Sequence, residues 1–206
     1  MFMGKYGIGV ILIFMILVIG VMKPRFLYPS NILNVLTQIS VNCLIAYGMC
    51  LCITTGGIDL SVGPQLALVS VLLGQFIVVR GMNIGLSVVL AVLAATVFGF
   101  VNGFLVAKFD MAAFVVTLAT QLVIRSIAQI ISDGQGMSMA SPAFKNIYSG
   151  TLAGIPYPII YMVVASIIMY IVMHWTKFGR YVFAVGGNVN AAIASGVNVF
   201  WTKTLC

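Results

Sequence analysis

The chain has 206 residues, of which 62% are hydrophobic and only 6% charged, with ten Lys+Arg, three Asp, no Glu and a formal net charge of +7. A soluble domain carries about 25% charged residues, so a mean hydropathy of +1.19 excludes an ordinary water-soluble fold and points to lipid as the solvent. The basic residues stand singly between apolar runs rather than in a patch, which excludes a nucleic-acid binder and fits loop residues that orient a membrane protein.

Taken in order, six apolar runs are long enough to cross a bilayer. The first, Tyr6 to Met22, follows a lone Lys5 like a signal peptide but lacks a small-x-small cleavage site, and so is expected to be a retained span. Lys23-Pro24-Arg25 ends it, because proline cannot continue the helical ladder. The second runs from Ile32 to Thr54, with Ser30 or Asn31 as candidate caps. The third covers Val62 to Val79, the fourth Ile84 to Val106, the fifth Ala112 to Ile131 and the sixth Pro158 to His174. A polar loop, Ser132 to Pro156, separates the last two. A basic amphipathic stretch, Trp175 to Asn198, follows, and Lys177 and Arg180 favour a cytoplasmic position for it. The chain then reaches Cys206 where another apolar run is expected to begin, which is the pattern of a C-terminally truncated domain. The reading is therefore an all-α, polytopic transmembrane bundle of about six spans, with residues 1–206 as one domain.

The segment Thr54-Thr55-Gly56-Gly57-Ile58-Asp59-Leu60-Ser61-Val62-Gly63-Pro64 joins two spans with almost no loop. Gly56 and Gly57 permit backbone angles that other residues resist, and Pro64 is tolerated in the first turn of a new helix. A tight reversal or a broken helix is expected here. Ser61 or Asp59 can cap that first turn, and two roles stay open for Asp59: capping the third helix, or a transport or gating role, since a carboxylate near hydrocarbon is costly.

Two spans carry polar residues at four-residue steps: Asn34, Gln38 and Asn42 in the second, and Thr117, Gln121, Arg125 and Gln129 in the fifth. Such side chains face other helices or a water-filled path, or glue the bundle. Arg125 calls for a partner such as Asp59, Asp133 or backbone carbonyls, or for snorkelling to an interface. Gly99-x-x-x-Gly103 beside Asn102 favours close helix packing. His174 and Trp175 fit an interfacial helix end. Cys43, Cys50, Cys52 and Cys206 lack metal-ligand spacing and are read as small packing residues. Gly186-Gly187-Asn188 reads as a turn with Asn188 capping a short helix over Ala191 to Ala194, closed by Gly196. With one His, no Glu and no phosphate-binding loop, a membrane enzyme or an ATPase is excluded; no metal or cofactor is expected.

These residues resemble the ribose-type permeases of bacterial ABC sugar importers, a group that includes xylose, galactose and autoinducer-2 permeases. The likeness rests on Gly56-Gly57-Ile58-Asp59-Leu60-Ser61-Val62-Gly63. It continues through Asn102-Gly103, Phe114-Val115-Val116-Thr117-Leu118, Arg125, Gly186-Gly187-Asn188, Ala191-Ala192 and Ser195-Gly196. It implies a fold like the type II importer permeases and a multi-pass position in the bacterial inner membrane. It also implies a second permease subunit, as homo- or heterodimer, a separate ABC ATPase and a periplasmic sugar-binding protein. Asn34, Gln38, Asn42, Asp59, Ser61, Asn102, Thr117, Gln121 and Arg125 are then expected along the sugar path. Gly186, Gly187, Asn188, Ala191, Ala192, Ser195 and Gly196 fall in the ATPase-coupling loop, residues 175–198. The sequence departs from the family at Asn190, usually Glu, at Ile193, usually Arg, and at Ala113, usually Pro. An ion-coupled secondary transporter with Asp59 at a broken helix and a non-functional permease fragment are the alternative readings.

Overall fold

A computed structural model describes residues 2–136 and 141–206, and side chains from residue 7 onward. Among the described residues the chain is a helical bundle with a single two-residue hairpin as its sheet. Helix α1 spans Phe2–Met22 and gives way to a 3-10 turn at Pro24–Leu27. Helix α2 spans Pro29–Thr54, starting on the proline, so neither Ser30 nor Asn31 caps it. Asn31 instead donates its amide to the Phe26 carbonyl at 2.8 Å and stitches the turn to the helix.

Helix α3, Val62–Leu73, continues into a π-turn over Gly74–Val79. Helix α4 covers Ile84–Phe109, α5 Ala113–Ile131 and α7 Tyr157–Trp175. Five spans, α2, α3 with its π-turn, α4, α5 and α7, are long and apolar enough to cross a membrane. The sixth expected span, α1, is an apolar helix of 21 residues. Its side chains from Ile8 to Ile19 stand exposed.

The loop expected over Ser132–Pro156 is more structured than its composition indicates. It holds helix α6, Pro142–Ser149, and strands β1, Thr151–Leu152, and β2, Ile155–Pro156, paired antiparallel. Gly154 turns the hairpin at φ +82°. The stretch after α7 also divides into helices: α8, Lys177–Gly187, α9, Val189–Ala194, and α10, Val199–Leu205.

The best-buried part of the bundle lies where α3, α4 and α5 meet. Leu68, Ile124 and Ala128 form its centre, with Val71, Leu72, Phe98, Ile127 and Ile131 packed around them. Gln75 of the π-turn donates to the Ile131 carbonyl at 3.0 Å and pins α3 to the end of α5. Helix α2 lies on α7 instead, joined by a hydrogen bond between the hydroxyls of Tyr47 and Ser166. A polar pair buried between helices is worth roughly 0.6–2 kcal/mol in lipid, so packing does most of the holding. The bundle is thus a three-helix core, α3–α4–α5, with the α2–α7 pair beside it and α8–α10 closing one end.

Candidate functional site

The end of the bundle that α10 closes contains a cavity of about 610 Å³. Its wall is built from the end of α2 and the α2–α3 connection, the first turns of α3, one face of α4, the α4–α5 turn with the start of α5, and α10. The α2–α3 connection is set by glycine. Gly56 adopts φ +84°, a left-handed angle at the helix end, and Gly57 N–H bonds back to the Cys52 carbonyl at 2.9 Å. With the Gly56 N–H bonded to the Ile53 carbonyl at 3.0 Å, this is the usual left-handed helix stop, and it releases the chain to cross the cavity mouth.

Beyond the stop, the polar side chains form one connected hydrogen-bond network. Asp59 Oδ1 accepts from the Ser61 backbone N–H at 2.7 Å and from the Ser61 hydroxyl at 2.6 Å. The same hydroxyl accepts from Gln65 Nε2 at 2.8 Å and from Asn102 Nδ2 at 3.1 Å. A serine hydroxyl has one donor and two lone pairs, so Ser61 is fully used, as its 0% exposure requires. Asn102 Oδ1 in turn accepts from Thr120 Oγ1 at 2.6 Å. Thr117 Oγ1 donates to the Ile58 carbonyl at 3.1 Å and to the Ala113 carbonyl of its own helix at 2.8 Å. The connection is therefore tied to α4 through Asn102 and to α5 through Thr117.

The capping role expected for Ser61 is not the one observed. Ser61 begins α3 without a side-chain cap bond; its hydroxyl serves Asn102 and Gln65 instead. Asp59 takes up the Ser61 N–H, and that local turn leaves its second carboxylate oxygen outside these bonds.

The nine residues expected along a path are not brought together. Asp59, Ser61 and Asn102 share the network, and Thr117 stands beside it, bonded to the Ile58 carbonyl. Gln121 is half-buried on α5, outside those bonds, and Asn34, Gln38, Asn42 and Arg125 are exposed on the outer faces of α2 and α5. Arg125 does not reach Asp59, whose carboxylate is bonded to Ser61. On a helix turning about 100° per residue, Gln38 lies about 180° from Tyr47, the residue that faces α7. The stripe on α2 therefore points away from the fold. Sequence reasoning missed Gln65, Thr120, Thr55, Asp110 and Lys203. Gln65 and Thr120 complete the network, and Thr55, Asp110 and Lys203 line the cavity.

The glycines of the other expected segment split in the same way. Gly186 and Gly187 are the last residues of α8 rather than a turn, and the chain turns at Asn188. Asn188 is extended and caps α9, accepting from Ala191 N–H at 3.0 Å. Gly196 closes α9 at φ +77°, with Val197 N–H bonded to the Ala192 carbonyl at 3.0 Å. Ala192 is buried, whereas Ala191, Ser195 and Gly196 face outward. A Cβ on Gly186 would collide with the Thr54 carbonyl. This close approach seats α8 on the end of α2, beside the cavity-lining Cys52 and Thr55.

The five long apolar helices are those of a multi-pass membrane protein. Residues 31–206 match the family described as branched-chain amino acid transport system / permease component, and the chain belongs to that family. It is similar to Ribose import permease protein RbsC of Bacillus subtilis, 40% identical over 98% of this chain and 63% of that protein. It is similar also to Ribose import permease protein RbsC of Haemophilus influenzae, 37% identical over 91% of this chain and 59% of the relative. D-allose transport system permease protein AlsC of Escherichia coli is 33% identical over 97% of this chain and 61% of its own length. The chain thus spans less than two thirds of the curated relatives it matches. No solved structure matches it. The family and the apolar helices make it a multi-pass inner-membrane protein.

Proposed function

We propose that the chain is the permease subunit, or part of one, of an ATP-driven importer of a monosaccharide. The observation that carries this reading is the match along 98% of the chain to a ribose import permease. The subunit performs no bond chemistry. It offers a path whose conformation a separate ABC ATPase drives, with a periplasmic sugar-binding protein delivering the substrate and a second permease subunit completing the assembly.

In this reading residues 1–206 act as one transmembrane domain, and residues 175–198 are the loop that meets the ATPase. The loop would lie on the cytoplasmic side. The seating of Gly186 on Thr54 supports its coupling role, because a push on α8 reaches the α2–α3 connection through two backbones in direct contact. Helix α9, with Asn188 at its start and Gly196 at its end, is the element offered to the ATPase. Asp59, Ser61, Asn102 and Thr117 would gate the inner end of the path. Asn34, Gln38, Asn42 and Arg125 would serve its outer part, on faces covered by the second subunit.

The test is uptake of radiolabelled ribose, allose and galactose by cells that lack their own importers, with the chain expressed beside its neighbouring ATPase and binding protein. Uptake should require a hydrolytically competent ATPase. Uptake that survives an inactive ATPase and collapses with the proton gradient sinks this reading in favour of ion coupling at Asp59. No uptake of any monosaccharide sinks the substrate class.

A further inference from the structure

The corner between α7 and α8 is tightly built, and it sits where a span leaves the bilayer. Helix α7 ends at Trp175 and α8 begins at Lys177, with Thr176 between them. Thr176 Oγ1 donates to the Val172 carbonyl at 2.6 Å and accepts from the Gly179 N–H at 3.2 Å. A Cβ on Gly179 would collide with the carbonyls of Val172 and Met173, so α8 folds back hard onto the end of α7. Lys177 and Arg180 therefore stand two and five residues past the end of a span, at the level where lipid headgroups meet the protein.

The side chains around this corner sort by chemistry. Val163, Ile167, Tyr170 and His174 make one exposed row along α7. His174 stacks on Tyr170 with ring centroids 4.5 Å apart and meets Phe183 of α8 edge-on at 6.5 Å. The exposed row of α7 thus runs on into α8. At about 100° per residue, Arg180 lies about 60° round α8 from Phe183 and Lys177 about 60° further. Gly179, Val182 and Val185 are buried on the opposite side. Trp175, 72% exposed, and Phe183, 51% exposed, complete the corner. No Asp or Glu follows Asp133 in the sequence. Asp59 and Asp110 line the cavity, and Asp133 lies past the other end of α5. The corner is a cationic, aromatic surface whose own helices carry no counter-charge.

We propose that the α7–α8 corner binds the headgroup of an anionic phospholipid. Arg180 and Lys177 take its phosphate, while its glycerol and upper acyl chain lie along Phe183, His174 and Tyr170. The proposal needs the membrane topology of the chain but neither its sugar nor its ATPase. Arg180 meets a phosphate as a planar fork of donors and Lys177 as a point charge. Both have stems long enough to run along apolar surface and deliver the charge to the headgroup layer. A short helix with basic residues on one face and aromatic rings beside them is the form that lies in this layer. A zwitterionic headgroup brings its own cation and gains little here. The consequence is mechanical. Helix α8 is then held at both ends, by lipid at Lys177 and Arg180 and by the Thr54 carbonyl at Gly186, so the charge of the bilayer bears on the helix seated at the end of α2.

The sequence contains two tryptophans, Trp175 and Trp201, so in a Trp201→Phe background fluorescence reports the lipid beside this corner alone. The full chain is reconstituted in phosphatidylcholine vesicles with a minor share of phosphatidylglycerol, one of the two lipids being brominated at a time. Brominated phosphatidylglycerol should quench Trp175 beyond its share, with an association constant above that of phosphatidylcholine by roughly fivefold for each of the two cations. The preference should shrink at 1 M KCl, where the screening length is about 3 Å. Lys177→Gln combined with Arg180→Gln should abolish it. Lys145→Gln, on α6 before the start of α7, should leave it unchanged.

Equal quenching by the two brominated lipids before any charge is removed overturns the proposal. So does a preference that survives the loss of both cations. A drop of the same size in Lys145→Gln overturns it too, because that is attraction to the net charge of +7 rather than to a site. If the double variant instead weakens retention of the ATPase while the lipid preference stays, the face belongs to the ATPase and the proposal falls.

Discussion

Asn102 on α4 donates its side-chain amide to the hydroxyl of Ser61, 41 positions earlier in the chain, at 3.1 Å, and both residues are buried. This bond holds the α2–α3 connection against the bundle. It places a glycine-released turn, which would otherwise be mobile, in one position beside the cavity. Because Ser61 also receives Gln65 and donates to Asp59, removing its hydroxyl orphans the amides of Asn102 and Gln65 and leaves Asp59 only the Ser61 backbone N–H.

Ser61→Ala is therefore expected to cost more than an isolated serine bond. A buried polar group left without a partner costs about 1–3 kcal/mol, and two amide donors lose their acceptor here. The thermal midpoint of the purified protein in detergent should fall clearly. Gly63→Ala, two residues on, is the control, since a Cβ there meets nothing within 4 Å. Equal midpoints for the two variants would show that the network does not hold the connection.

How much of this could be read from the sequence depends on the distance over which each feature is encoded. The spans were legible, because each is an apolar run bounded by proline, glycine or charge. The stops at Gly56 and Gly196 and the cap at Asn188 were legible for the same reason: each is settled within five residues. The α6 helix and its hairpin were not, since eight helical residues and a two-residue strand carry no usable period. The polar stripe on α5 misled. Steps of four drift about 40° on a 3.6-residue helix, so Arg125 lies about 80° round from Thr117. That rotation takes it from the buried face, where Thr117 is 3% exposed, to the outside. Pairing Asn102 with Thr120 and bringing Lys203 to the cavity that Asp59 also lines needed the registers of α4, α5 and α10, which no single segment contains.

The Gly99-x-x-x-Gly103 motif divides into two different roles. A Cβ on Gly103 would come within 2.5 Å of the Thr204 carbonyl, whereas one on Gly99 meets nothing within 4 Å. Gly103→Ala should push α10 off α4 and open the cavity, seen as faster maleimide labelling of Cys206. Gly99→Ala should leave that rate unchanged. If both variants label alike, α10 is not seated on Gly103.

Gly56→Ala isolates backbone strain from crowding, because the position is open on all sides but sits at φ +84°. A left-handed angle costs a side chain about 1–2 kcal/mol. The variant should lose that much stability while keeping its fold, measured as a modest drop in thermal midpoint with an unchanged circular dichroism spectrum. Gly57→Ala should do more damage, as its Cβ meets Cys52 Sγ at 3.0 Å and the Cys52 carbonyl at 3.3 Å. An equal or reversed ranking would mean that the chain does not leave α2 through this turn.

Gly186→Ala tests the contact between α8 and α2 on which the coupling proposal leans. The new methyl would strike the Thr54 carbonyl, and backbone cannot yield as a flexible side chain does. Gly187→Ala meets nothing within 4 Å and adds the same methyl one residue on. Both variants should reach the membrane in similar amounts. In the assembled transporter, Gly186→Ala should sever the push from α8 to the α2–α3 connection, lowering ATP-dependent sugar uptake severalfold while the ATPase goes on hydrolysing. Gly187→Ala should keep uptake and hydrolysis in step. Matching uptake in the two variants would remove the backbone contact at Thr54 from the coupling route and leave α9 as the element to test next.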